Sequence, residues 1–180
     1  MVARFRSRPP VLDRRILERA PILGRLPHFR CYRWPIRHTA IYVVRHCEVG
    51  AGTNPSLTAA GQQRAALLAR KLTVEAVDAV FVTQFARTQQ TGAPAAAAAG
   101  ISMTPYDAGA PNEAVDQVLA DHVGGRVLIV GHSNTVDDIC SHLGVSGVSE
   151  LGHGQFGRLF VVNRFADTAH LEQLRYGAAT

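Results

Sequence analysis

The alternation of apolar and polar positions divides the chain into short, wholly apolar runs and longer stretches with helical spacing. Residues 41–44, IYVV, are apolar at every position and β-branched at three of them. A strand of that kind is covered on both faces, as in the parallel sheet of an α/β protein. Further strand runs lie at residues 79–82, 101–106 and 127–130. Between them the spacing changes to that of helices. The first opens at Leu57 and Thr58, with Thr58 as N-cap, and carries Ala65, Leu68, Ala69 and Leu72 on one face. A second follows Thr83 and holds Arg87 in its first turn; Pro94 is expected to kink or restart it. A third is capped by Asn112, places Val115, Val118, Leu119 and Val123 on its apolar face, and ends at Gly124-Gly125. A fourth repeats Val136, Ile139, Cys140 and Leu143 and closes at Gly144. Two strands, 158–162 and 169–176, finish the chain. Strands alternating with helices predict a three-layer α/β/α sandwich, its sheet mainly parallel and its helices on both faces.

Composition adds a boundary. The chain has 180 residues, 47% of them hydrophobic and 18% charged, which suits one soluble domain. The net charge of +5 is unevenly placed. Residues 1–40 hold ten arginines against Asp13 and Glu18, a balance of +8, and the remainder carries −3. Residues 1–38 therefore read as a basic, Pro/Arg-rich extension and residues 39–180 as the domain. The extension is broken by Pro9, Pro10, Pro21, Pro27 and Pro35, with room for one short helix over residues 12–20. It lacks the apolar core of a secretory signal and has a single serine where transit peptides have many. A basic arm for nucleic acid or anionic lipid is one reading of it, although the acidic balance of the domain itself makes nucleic acid an unlikely partner. No apolar run of about 18 residues is present, so no membrane span is expected, and cytoplasmic localisation follows from absent signals. Cys31, Cys47 and Cys140 are too few and scattered for a disulfide framework, no CxxC pair suggests zinc, and no cofactor is expected. Cys31 and Arg37 match the Cys-x5-Arg spacing of cysteine phosphatases, but the bulky YRWPI between them does not suit a phosphate cradle.

Candidate chemistry gathers at strand ends, where parallel α/β sheets place ligands. The first strand stops at Arg45-His46 and the strand 127–130 stops at Gly131-His132-Ser133. An arginine offers a planar, permanently charged fork for phosphate or carboxylate. A histidine can serve as nucleophile, base or ligand. Arg87 stands at a helix start, where the macrodipole disfavours a cation. It is either a solvated surface residue or the partner of an anion held against the helix N–H groups.

Four segments, in order, resemble the histidine phosphatase superfamily, also called the phosphoglycerate mutase-like family. They are Arg45-His46-Cys47-Glu48, where the family has Arg-His-Gly or Arg-His-Ala before Glu; LTAAGQQRA over residues 57–65; Arg87-Thr88-Gln89-Gln90-Thr91; and Gly131-His132-Ser133. The resemblance covers roughly residues 39–176. The short chain and the VGHSNTV and RLFVV stretches look most like the small phosphatase branch. It implies that His46 attacks phosphorus to form a covalent phosphohistidine, that Arg45, Arg87 and His132 hold the phosphoryl group, and that water then releases it. No metal is implied, because arginine and imidazole supply the positive charge. The substrate would be a phosphorylated small molecule or a phosphoprotein.

Some positions depart from the family pattern. Cys47 replaces Gly or Ala and puts a thiol beside the nucleophile, which would make the site sensitive to oxidation. Asn54 is offset from the asparagine that often follows the first motif. No acid for the leaving group is evident: Asp107, at the end of the third strand, is the best placed, with Glu113 behind it. A missing acid suits good leaving groups such as phosphohistidine or aryl phosphates. Three alternatives stand beside the phosphatase. A phosphoglycerate-type mutase is disfavoured because only 45 positions separate Arg87 from His132, too few for the insertion that encloses a phosphosugar acid. A serine hydrolase would use Ser133 in a G-x-S-x-G-like elbow, but Thr135 stands where the second Gly is needed. A non-catalytic domain would keep the phosphate pocket for recognition alone.

Overall fold

A computed structural model describes residues 38–178. The helix over residues 12–20 and the Cys31/Arg37 pair lie outside the described residues, as does most of the basic extension. Among those described, six strands and four helices alternate: β1 (Thr39–Arg45), α1 (Ala59–Thr73), β2 (Ala79–Thr83), α2 (Ala86–Ala99), β3 (Met103–Tyr106), α3 (Pro111–Asp121), β4 (Arg126–Gly131), α4 (Val136–His142), β5 (Arg158–Arg164) and β6 (Ala169–Arg175). The strands form one sheet in the order β3-β2-β4-β1-β5-β6. β1, β4, β2 and β3 run parallel; β5 and β6 are antiparallel additions on one side.

The period-2 geometry of β1 explains why its run is apolar throughout. Ile41 and Val43 pack with Phe81, Val127, Ile129, Phe160 and Val162 against Val115, Val118, Ile139 and Leu143 of α3 and α4. Ala40, Tyr42 and Val44 face the other way, with Val80, Val82, Leu128 and Val130, against Leu68, Ala69, Leu72, Ala95 and Ala96 of α1 and α2. Helices thus cover both faces, and the three-layer sandwich expected from the sequence is found. Each such side chain buried contributes about 1.5–3 kcal/mol, so the two apolar layers hold the sheet rigid beneath its carboxyl edge.

The strand order places the site. β4 lies between β1 and β2 although it follows both in sequence. The helices after β1 and β2 go to one face and the helix after β4 goes to the other. A crevice opens where connections leave in opposite directions, just beyond the strands' carboxyl ends.

Several local expectations are corrected. α3 is not capped by Asn112: Ala110 holds the cap position without a side-chain bond, and Pro111 starts the helix, its fixed φ serving where an N–H would go unused. Val123 lies past the end of α3 and is 67% exposed, so it does not belong to the apolar face. Pro94 sits inside α2, which continues as one helix from Ala86 to Ala99. β3 begins at Met103, not Ile101. Thr58 does cap α1, its hydroxyl accepting from the Gly61 N–H at 3.2 Å.

Candidate active site

The parallel pairing of β1 with β4 sets Arg45 opposite Gly131, and the His46 N–H continues the ladder to the Gly131 carbonyl at 2.9 Å. His46 and His132 therefore leave adjacent strands at the same level. Their rings meet edge to face with centroids 5.5 Å apart. Arg87, in the first turn of α2, reaches the same place: its Nε lies 3.4 Å from His132 Nδ1. These three residues share a cleft of about 300 Å³ with Phe85, Ala108, Ser133, Asn134 and Thr135. Of the four residues expected to form the site, the structure brings His46, His132 and Arg87 into this cleft.

Arg45 is placed differently. Its Nη1 donates to the Gly152 and His153 carbonyls at 2.9 and 3.1 Å, and its guanidinium lies 4.3 Å from the centre of the Phe156 ring. Its Nε is buried without an acceptor. Arg87 repeats the stacking, 4.3 Å from the centre of the Phe85 ring. Both guanidiniums are thus steadied by an aromatic face.

The histidines are neutral by construction. His46 Nδ1 lies 2.8 Å from the Cys47 carbonyl. A carbonyl cannot donate, so Nδ1 carries the proton and Nε2 carries the lone pair. Burial, partly offset by the Cys47 carbonyl and reinforced by the Arg45 and Arg87 charges, lowers its pKa to about 4. His132 is lowered to about 4 by burial, then by Arg87, His46 and Arg45. Burial also lowers the arginine pKa values, and for Arg45 the nearby Arg87 adds to this. No carboxylate lines the cleft among the described residues. Positive charge with no internal counter-ion suits a small anion. Among the described residues, no cluster of three or more His, Cys, Asp or Glu side chains could hold a metal ion.

The motifs do not show how this cleft is supported. Thr91, fully buried, accepts from the Cys47 N–H at 2.9 Å and donates to the Arg87 carbonyl at 2.7 Å, tying the loop after His46 to α2. Gln90 accepts from the Leu57 N–H at 2.7 Å. Asn54 accepts from the Ala86 N–H at 3.0 Å, so it caps α2 and does not line the cleft. Arg64 is 5% exposed on the buried face of α1; its Nε and Nη2 bind Glu48 and its Nη1 donates to the carbonyls of Tyr176 and Ala178. Burial pushes the Glu48 carboxyl up, but the Arg64 guanidinium outweighs this and holds it below the usual carboxylate range. A side chain at Gly61 would collide with the Glu48 carbonyl, which explains the glycine of the 57–65 motif. Of these, Glu48, Gly61, Arg64, Gln90 and Thr91 fall within the motifs, which mark their positions but not the bonds they make across the fold.

The remaining candidates fall elsewhere. Asp107 is exposed and accepts from the Gly109 N–H at 2.9 Å; Ala108 is the residue of that loop at the cleft. Glu113 is exposed in the first turn of α3. Cys47 is fully buried, and burial raises its thiol to about 11. That corrects the expectation of an oxidation-sensitive site, because the reactive form is the exposed thiolate. Ser133 lines the cleft, but among the described residues no hydrogen bond joins it to His46 or His132, whose bonded ring nitrogens engage the Cys47 carbonyl, Thr83 and Arg87.

Comparison with known proteins adds an independent finding. The family model of the histidine phosphatase superfamily (branch 1) matches residues 36–108. Among solved structures, the chain is similar to the protein histidine phosphatase SixA complexed with tungstate, with 17% identity, TM-score 0.60, and 76% of this chain and 96% of that one covered. It is similar to a mycobacterial glucosyl-3-phosphoglycerate phosphatase at 10% identity, TM-score 0.62, covering 78% and 100%. A third is YhfR of Bacillus stearothermophilus, at 16% identity, TM-score 0.58, covering 74% and 95%. At these identities the likeness is one of fold. No curated protein matches the chain by sequence.

Proposed function

We propose that the chain is a phosphatase of the histidine phosphatase superfamily, whose family model matches residues 36–108, and that it hydrolyses its substrate through a covalent phosphohistidine on His46. One observation carries the reading: His46 Nδ1 is occupied by the Cys47 carbonyl, so the free lone pair sits on Nε2, in a cleft shared with Arg87 and His132. In-line displacement needs that lone pair at phosphorus and positive charge around the equatorial oxygens. Arg87 supplies charge from the helix start. Arg45 supplies it through the buried Nε that lacks an acceptor, which a phosphoryl oxygen would satisfy. Each preorganised donor contributes on the order of 3–4 kcal/mol to the transition state. Water then attacks the phosphoenzyme.

Among the described residues no carboxylate lines the cleft, and this narrows the substrate. Departure of an alkoxide needs a proton, whereas phosphohistidine or an aryl phosphate releases a stable leaving group. A phosphohistidine-bearing protein or an aryl-type phosphomonoester fits best; SixA is named as a histidine phosphatase. A second reading has a specific basis. Arg45 Nη1 is committed to the Gly152 and His153 carbonyls, as it would be in a domain that recognises phosphate without turning it over. A mutase is disfavoured, because only β3, α3 and β4 lie between α2 and His132.

Hydrolysis of para-nitrophenyl phosphate in EDTA, by wild type and His46→Ala, tests the mechanism. Turnover that survives the chelator and is abolished by the substitution supports it. Equal turnover in both proteins overturns His46 as nucleophile.

A further inference from the structure

His132 is held by a chain of hydroxyls whose direction is fixed from its far end. The Thr88 hydroxyl oxygen lies 2.9 Å from the Phe85 carbonyl and 3.2 Å from the Thr83 carbonyl. Neither carbonyl can donate, so the Thr88 hydroxyl must. Its oxygen is then the acceptor for the Thr83 hydroxyl, 2.7 Å away. With that proton spent, Thr83 Oγ1 can only accept, and it does so from the Phe85 N–H at 3.4 Å and from His132 Nε2 at 3.2 Å. Both threonines are fully buried, so no water reverses the order. Nε2 therefore carries the ring proton, and Nδ1 carries a lone pair. Nδ1 faces Arg87 Nε across 3.4 Å, a long contact and an exchangeable one.

A neutral His132 in this state offers the cleft an acceptor and no donor. A fully deprotonated phosphoryl group offers acceptors too, and two acceptors facing one another repel. One proton must lie between them. We propose that Thr83 and Thr88 are positioning residues that hold His132 with its Nδ1 lone pair toward the cleft, so that the site takes a phosphoryl group in its monoprotonated form, the P–OH donating to Nδ1. The inference rests on the reading of the cleft as a phosphate site. The charged or titratable groups facing His132 are Arg87 of α2, Arg45 of β1 and His46, and no carboxylate is among the residues lining the cleft. Burial opposes protonation of Nδ1, and Arg87, His46 and Arg45 oppose it further. The proton therefore arrives with the ligand.

The test is direct binding of phenylphosphonate, whose second ionisation removes its last proton, and of sulfate to the full chain, by calorimetry between about pH 5.5 and pH 8.5. Phosphonate affinity is expected to hold steady up to that second ionisation near neutrality and then to fall by about tenfold per pH unit, because one proton is required. Sulfate carries no proton in this range, so its affinity is expected to fall throughout. Thr83→Val frees the ring to change tautomer and should flatten the alkaline fall; Thr83→Ser, which keeps the hydroxyl, should restore it. A merely structural threonine would change the affinity without changing its pH dependence. Phosphonate binding that tightens with rising pH, a valine variant with the wild-type profile, or no phosphonate binding at all overturns the inference. The phosphatase reading fails separately, by the para-nitrophenyl phosphate assay with His46→Ala.

Discussion

The two histidines leave neighbouring strands side by side, yet they are fixed by different means. His46 is set by the carbonyl of its own chain neighbour, which no substitution can remove. His132 is set by hydroxyls from a different strand and from α2, which a single substitution deletes. A main-chain partner makes a tautomer robust to sequence change. A side-chain partner makes it adjustable. The group proposed to form the bond to phosphorus has the robust arrangement, and the group proposed to recognise the phosphoryl oxygens has the adjustable one.

The sharpest break in that comparison is His46→Ala, which should lower para-nitrophenyl phosphate turnover by at least about 10³-fold, measured against wild type at equal folded fraction. Arg87→Ala should follow, at about 10² to 10³ in kcat, and Arg87→Lys should recover little because a point charge does not replace the fork. Next in size is stability. Arg64→Ala leaves the Glu48 carboxylate and two carbonyls without their partner and should cost about 3–5 kcal/mol in denaturant unfolding. Acid dependence comes after it. The nucleophile must be neutral, so the acid limb of kcat/KM should fall near pH 4, where burial places His46, and not near the ordinary histidine value of about 6.5. A limb at the ordinary value would show that His46 is more solvated than described. The smallest effect belongs to Cys47→Ala. The carbonyl of residue 47 remains, so turnover should stay within about threefold, and the wild-type thiol should resist iodoacetamide until the protein unfolds.

What could be read in the sequence was whatever leaves a periodic or terminal mark. The apolar runs at 41–44 and 127–130 reported burial on two faces, and their abrupt ends at Arg45-His46 and Gly131-His132 reported the crevice. The Leu68, Ala69 and Leu72 face of α1 was legible for the same reason. Caps were harder. Asn112 has the right chemistry for an N-cap, but Pro111 before it had already started the helix. Asp107 ends a strand on the expected side, yet its carboxylate turns to its own loop. Thr83, Thr88 and Thr91 act through hydroxyl hydrogen bonds, and such bonds impose no apolar period along the chain. Arg45 shows the limit most clearly: the motif locates it, but only the loop at 152–156 determines what its guanidinium touches.

The grip of Arg64 on the carbonyls of Tyr176 and Ala178 has a practical side. The same guanidinium holds Glu48, two residues from His46, so one side chain ties residues 176–178 to the loop that carries His46. Trimming the chain back to Arg175 would free Arg64 on one side and loosen the other. An affinity handle or a fusion partner placed after Ala178 pulls on the same anchor. For anyone building a tethered sensor or an immobilised form of this protein, the carboxyl end behaves as a lever on the active site and is the wrong place to attach a load.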